Sequence, residues 1–338
     1  MIPALQDSGR HRRLDRAALI LERRLFIMFP TLRSLVWRSA RPGAGSVQPR
    51  TGRGKPGGRV REKGGCPALQ EKEHMSLTKN AMKEIRALEK KKAREDSGLF
   101  VVEGVRLLQE AVFSHFTMQS LYYTAGSMDD PGTRRLLAEA RTRSVDCQQI
   151  TDRQMESISG TVQNQGILGV MRQQNSPAES LLRPGPGESF IVGLDGVADP
   201  GNLGSMIRSA DWFGVHGMAI GRNCVDLYNP KVVRSTMGSL FHLPVAVDVD
   251  LLPLLSHAKA MAYTVYVTAT DGEQHFDRVR FARKSLIVFG SEAWGVSDQV
   301  RELSDVRIAI RRYGQAESLN VGVACGIVLS GLHRMPAE

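Results

Sequence analysis

The chain of 338 residues is poor in the features that announce common chemistries. Its four cysteines, at 66, 147, 224 and 325, form no CxxC pair, and its eight histidines make no close metal-ligand spacing. Neither a disulfide framework nor a zinc site is indicated, and free thiols in a reducing compartment are the expectation. Walker A, GxSxG and HExxH patterns are all missing, so the ordinary nucleotide-hydrolysis and hydrolase readings lose support. Long apolar runs are also missing. In "RAALILERRLFIMF" charges interrupt the hydrophobic pattern well short of the roughly 20 residues a bilayer crossing needs. The segment GRGKPG, residues 52–57, satisfies GxGxxG, but it contains Pro and follows no strand pattern, so it is read as chance.

Charge is present but uneven. Residues 1–74 hold 16 of the 45 Lys and Arg but only 6 of the 35 Asp and Glu, so the remaining residues carry 29 of each sign. The net +10 belongs to the head of the chain, where "RPGAGSVQPRTGRGKPGGRVREKGGCP" is too rich in Gly, Pro and Arg to offset its ordering entropy. Residues 1–74 therefore read as a disordered basic tail or a misassigned start, with Met75 a sensible beginning; six acidic residues argue against a transit peptide.

Downstream, a basic helix is expected over 77–94, with Leu77, Met82, Ile85 and Leu88 on one side and Lys79, Lys83, Arg86, Lys90, Lys91, Lys92 and Arg94 elsewhere. Strands and helices then alternate through "GLFVVEG", "VRLLQEAVFS", "QSLYYTAG", "PGTRRLLAEARTR" and "GILGVMR", giving a small α/β unit over 75–175. "NSPAESLLRPGPGES" marks a linker, taken as 176–189. A second α/β unit spans 190–338, and its doubly apolar strands, such as "FIVGL" and "LIVF", imply a mostly parallel, buried sheet.

Three strand-to-loop junctions in this second unit could carry chemistry. In "DPGNLGSMIRSA", Pro200 and Gly201 suit a type II turn before a helix N-terminus, a ready anion site. Arg208 then falls in the first or second helical turn, either aimed at an anion or paired with Asp211 at i+3. In "IVFGSEAWGVS", Gly290 ends a strand, and Ser291, Glu292 and Trp294 form either a ligand loop at a strand's carboxyl end or a plain helix start with a packing Trp. In "AESLNVGVACGIVLSG", Ser318 is the expected N-cap of a helix from Leu319 onward. Gly322, Ala324 and Gly326 spend helix propensity, about 1 kcal/mol per Gly. Close approach of another helix, of a threaded backbone or of a partner subunit explains such a run of small residues.

In their order and position, "NLGSMIRSADWFGV", "VFGSEAWGVS" and "ESLNVGVACGI" resemble the three signature motifs of the SpoU (TrmH-type) family of RNA 2′-O-ribose methyltransferases. The resemblance implies an α/β chain with a C-terminal trefoil-knotted SPOUT domain, a smaller N-terminal RNA-binding domain over 75–175, S-adenosylmethionine as cofactor, and a homodimer in the cytoplasm. By motif position Asn202 and Arg208 resemble the pair that meets the target ribose and its phosphate. Gly290 and Glu292 resemble the second-motif cofactor loop, with Glu292 counted in the catalytic set. Ser318, Leu319 and Asn320 resemble the third-motif residues around the cofactor and the reacting hydroxyl, and Ile308 or Ile310 would lend backbone to the adenine. Ribosomal RNA, of the large subunit, is favoured over transfer RNA; base methylation and a non-catalytic RNA-binding protein of this fold are the other readings. Ala293 stands where the family commonly has Gly, which costs about 1 kcal/mol if that position needs positive φ, and Trp294 offers a stacking face to a base or to adenine.

Overall fold

The computed structural model describes residues 77–183 and 187–333. The basic tail, Met75, Cys66 and the GRGKPG segment lie outside the described residues. The expected single helix over 77–94 is two helices, α1 (Lys79–Ala87) and α2 (Lys91–Ser97). The break has a physical cause in Arg94. Its guanidinium turns inward, 2% exposed. There Nη1 donates to the Leu88 and Glu89 carbonyls at 2.7 and 2.8 Å, and Nε donates to Asp226 at 2.9 Å. Carbonyls orphaned at the end of α1 thus gain a charged donor, and Arg94 is no part of a solvated basic face.

The first sheet comprises β1 (Leu99–Glu103), β2 (Met118–Thr124), β3 (Asp146–Ile150) and β4 (Ile167–Arg172) in the order β1-β4-β2-β3, with only β2 and β3 parallel. Helices α3 (Val105–Phe113), α4 (Pro131–Thr142) and α5 (Asp152–Ile158) connect the strands. Pro131 opens α4 under an Asp130 cap, and Thr151 with Gln154 forms a capping box on α5.

The second sheet holds β5 (Ser189–Asp195), β6 (Gly217–Gly221), β7 (Val245–Val249), β8 (Thr264–Thr268), β9 (Gln274–His275), β10 (Lys284–Gly290) and β11 (Val306–Ala309), in the order β7-β6-β5-β10-β8-β11-β9, every pairing parallel. Helices α6 (Pro200–Trp212), α7 (Pro230–Ser235), α8 (Leu251–Ala260), α9 (Asp298–Glu302) and α10 (Val321–Leu329) lie between and after them. The central strands are apolar on both faces because both are covered. Phe190, Val192, Leu194, Ile287 and Phe289 enter one core, while Ile191, Leu286 and Val288 enter another. Strand order reverses direction between β5 and β10, the place in an open parallel sheet where the loops at the carboxyl ends diverge and leave a crevice.

The two sheets share a core. Phe100 of β1 packs on Tyr228 with ring centroids 4.5 Å apart, and Phe116 meets Phe241 edge-on at 5.3 Å. Between the sheets the Pro- and Gly-containing segment buries Leu181 and Leu182, and Tyr263 Oη accepts the Arg183 N–H at 2.8 Å. His242 adds a charged bridge, its Nδ1 2.9 Å from Asp211 of α6 and its Nε2 3.2 Å from Glu110 of α3. Hydrogen bonds to Asp211 and then Glu110 push the imidazole up to about 10.

Candidate active site

The site forms where β5 and β10 end. After β5, Asp199 caps α6 by accepting the Asn202 N–H at 2.8 Å, with Pro200 at the first helical position. Pro200 and Gly201 therefore begin the helix and are not the centre of a type II turn. The terminus carries its own carboxylate in place of an open anion site. This earlier start moves Arg208 to the third helical turn. Its side chain is exposed and makes no ion pair among the described residues, while the Asp211 carboxylate faces His242.

After β10 the chain makes a closed turn. Ser291 and Gly295 exchange N–H···O bonds, both at 2.9 Å, around Glu292, Ala293 and Trp294. A side chain on Gly290 would run into the Gly295 carbonyl, so the turn can fold back on its strand only because that position is glycine. Positive φ falls on Gly295, at 69°, and not on Ala293; the alanine departure carries no backbone penalty. The Asp195 carboxylate at the end of β5 accepts the Ser297 N–H at 2.8 Å, fixing the turn beside α6.

The third segment returns from β11 to α6. Asn320, not Ser318, is the N-cap of α10, accepting the Val323 N–H at 3.1 Å, so the helix begins at Val321. Ser318 and Leu319 remain in the exposed loop before it. The cap has a second use: Asn320 Nδ2 donates to Asn202 Oδ1 at 2.9 Å, and Asn202 Nδ2 donates to Glu292. Three segments far apart in sequence are thereby joined by one hydrogen-bonded chain, Asn320 to Asn202 to Glu292.

Small residues on α10 allow this approach. A Cβ on Gly322 would lie 2.6 Å from Ser205 Oγ and 3.2 Å from Asn320 Oδ1, whereas one on Gly326 would sit 3.7 Å from Ser209 Oγ, an ordinary contact. The neighbour that requires glycine at 322 is thus α6 of the same chain.

Of the two residues expected near adenine, Ile308 is buried within the sheet and its carbonyl accepts the Ala269 N–H at 2.9 Å. Ile310 lies past the end of β11, and among the described residues no backbone hydrogen bond is made by its own N–H or C=O. Sequence reasoning did not single out Asp195, Asp199 or Ser297. An Asp-Pro pair before a helical pattern was the available signal for Asp199.

A model of the SpoU rRNA Methylase family matches residues 189–330, and a model of the MRM3-like substrate binding domain matches residues 79–169. The chain is 30% identical over 254 residues to the 23S rRNA (guanosine(2553)-2′-O)-methyltransferase RlmP of Bacillus subtilis, an alignment covering 75% of this chain and 96% of that one. The chain belongs to the SpoU rRNA methylase family. A second relative of this SpoU methylase, the 23S rRNA (uridine(2479)-2′-O)-methyltransferase of Streptomyces viridochromogenes, is 32% identical over 70% of this chain and 83% of its own. Among solved structures, the SpoU methyltransferase AviRb from Streptomyces viridochromogenes in complex with AdoMet superposes with a TM-score of 0.66 at 27% identity, covering 74% of this chain and 95% of that one. An AdoMet-bound rRNA methyltransferase from Sinorhizobium meliloti gives 0.68 at 27% identity, covering 75% and 94%. The α/β SPOUT-type fold, S-adenosylmethionine dependence and methyltransferase class of this SpoU methylase follow from that membership. The Asn320–Asn202–Glu292 chain shows what its three motifs build.

Proposed function

We propose that the protein methylates a ribose 2′-oxygen in large-subunit ribosomal RNA. The observation that carries this reading is the hydrogen-bonded chain from Asn320 through Asn202 to Glu292, which gathers all three signature motifs at the carboxyl ends of β5 and β10, with Arg208 exposed further along α6. The relatives named for 23S rRNA 2′-O-methylation match this chain over most of their length, which supports the substrate class.

The residues present fit S-adenosylmethionine. Ile310 offers its own N–H and C=O at the end of β11 for a purine edge, and the closed turn after Gly290 and the exposed loop through Ser318 and Leu319 follow β10 and β11 at the same end of the parallel sheet. When bound, this cofactor supplies an electrophilic methyl group on a sulfonium. The protein orients the acceptor. Arg208 holds a phosphate oxygen and stabilises negative charge developing on the ribose oxygen, since a guanidinium carries five N–H donors and no acceptor. Asn202, held from both ends of its amide, presents a fixed dipole toward the ribose. Ser318 remains free to reach the cofactor from the loop.

In this reading residues 75–175 grip RNA, with Lys79, Lys83 and Lys90 to Lys92 meeting phosphates, residues 190–338 form the methyltransferase domain, and the segment 176–189 connects them. The return of the chain from β11 to α6 is the passage that ties the trefoil knot. Trp212 and Val323, 72% and 51% exposed on α6 and α10, face a second copy in a homodimer. Among the described residues no helix is long and apolar enough to cross a membrane, and the cytoplasm is the proposed location.

Ribose-methylation mapping of total RNA from cells with and without the gene tests the reaction. One 2′-O-methyl mark in large-subunit ribosomal RNA is expected to vanish; an unchanged map overturns the proposal.

A further inference from the structure

The closed turn after β10 carries a side chain for which the reading above has no use. Trp294 is 91% exposed, although it is one of only three tryptophans in the chain and has the largest apolar surface of any residue type. The fold does not leave it loose. Its backbone N–H donates to Ser291 Oγ at 3.0 Å, inside a turn closed by the paired Ser291–Gly295 hydrogen bonds. Glu292, in the same three-residue turn, accepts from Asn202. A closed turn with one residue in the site thus carries a bare indole two positions on.

Exposed arginines lie on the adjoining segments of the site, and Glu292 is the carboxylate in the turn itself. Arg208 is exposed on α6, and Arg311 and Arg312 are exposed on the loop that leaves β11 at the same end of the parallel sheet. An aromatic face with fixed backbone, with exposed arginines on the adjoining segments, matches single-stranded nucleic acid, whose bases stack on the ring while its phosphates meet the charges. An apolar protein partner would find these cations costly to cover, and a duplex keeps its base faces stacked away from any side chain.

We infer that Trp294 is a base-stacking residue, taking the face of an unpaired nucleobase of the RNA next to the ribose that is methylated. This inference rests on the RNA-methylation reading and deepens it. It makes Trp294 a determinant of which target is accepted, since a nucleotide whose neighbours are unstacked can lay a base on the indole and a paired one cannot.

Wild type, Trp294→Ala and Trp294→Phe are to be compared in three measurements. These are methyl transfer to deproteinised large-subunit ribosomal RNA, S-adenosylmethionine binding without RNA, and sedimentation. The alanine variant is expected to raise KM for RNA about tenfold or more, with a smaller fall in kcat and unchanged cofactor affinity, and phenylalanine is expected to recover most of the loss. An unchanged KM in Trp294→Ala overturns the inference. So does a parallel loss of cofactor affinity, which would assign the indole to adenine, or a shift to slower sedimentation, which would assign it to a second copy. If wild type transfers no methyl group to any RNA, the reaction itself has failed as a proposal, and stacking is decided separately by anisotropy with a labelled short single-stranded RNA of mixed sequence. Weaker binding by Trp294→Ala then upholds the inference, and equal binding overturns it.

Discussion

Asn320 Nδ2 donates to Asn202 Oδ1 at 2.9 Å across 118 residues of sequence. One side chain therefore caps α10 and orients the amide that meets Glu292. Asn202 cannot flip without turning its oxygen toward a carboxylate, so its polarity is set by both neighbours.

Asn320→Asp separates the two uses of that residue. A carboxylate keeps the cap, so the melting temperature stays near wild type; Asn320→Ala loses about 1 kcal/mol. The aspartate has no donor for Asn202 Oδ1. Methyl transfer is expected to fall about tenfold or more in both variants, and full activity in Asn320→Asp would show that the amide bond is structural only.

Arg208→Ala is expected to abolish turnover while S-adenosylmethionine affinity survives. The guanidinium makes no ion pair among the described residues, so its loss leaves no buried partner exposed and stability changes by less than about 0.5 kcal/mol. Calorimetry of cofactor binding beside a methyl-transfer assay checks both halves.

Gly322→Ala and Gly326→Ala should diverge. Alanine at 326 makes an ordinary contact, so its propensity gain of about 1 kcal/mol appears as stability. At 322 a similar gain is offset by rotating Ser205 Oγ away from the Asn202 carbonyl, a bond of 2.9 Å worth about 1 kcal/mol. Melting of Gly322→Ala should stay close to wild type while activity falls, because Asn320 Oδ1, 3.2 Å from the new methyl, must move.

Arg94→Ala should be among the most destabilising substitutions in the chain. It leaves Asp226 Oδ2 and the carbonyls of Leu88 and Glu89 without the guanidinium, while Asp226 Oδ1 keeps the Tyr228 N–H, a loss of about 3 to 5 kcal/mol for breaking a buried pair. Denaturant unfolding measures it. Arg94→Lys should recover only part, since one ammonium cannot reproduce the fork.

His242 gives the protein a pH dependence of definite sign. Its folded value, raised to about 10 from 6.5, means that the bridge to Asp211 and Glu110 contributes its full stability below about pH 6.5 and loses it as pH rises through 10. The ring is half-exposed, so solvent screens the pair and the effect is modest. His242→Gln should flatten the stability difference between pH 7 and 10 in thermal melts.

The strands and helices of the second unit were legible because covered parallel strands write long apolar runs, as in "FIVGL" and "LIVF", and Gly or Pro punctuates their ends. Strand β3 was not: in "DCQQI" only Ile150 is buried, so no periodicity marks it. Strand β9 has two residues and no pattern to read. The break between α1 and α2 was hidden for another reason. Arg94 has the composition of a solvated face, and its charge is paired inside the fold by Asp226, 132 residues on. The start of α6 was misplaced because Pro-Gly reads equally as a turn or as the first two positions of a capped helix, and Asp199 decides between them through one hydrogen bond.

By itself the sequence determined the α/β class, the three motifs, their order and the family they resemble, since these depend on residue type and local spacing. Tertiary structure decided which atoms meet. It made Asn320 the cap instead of Ser318, left Arg208 in the open, put positive φ on Gly295 instead of Ala293, and brought Asn202 between Asn320 and Glu292. The Asn320 cap and the Ser291–Gly295 turn are local bonds that residue type alone leaves open. The meeting of Asn202 with Asn320 and Glu292 joins segments 118 and 90 residues apart around one parallel sheet, and no local spacing in the chain encodes such distances.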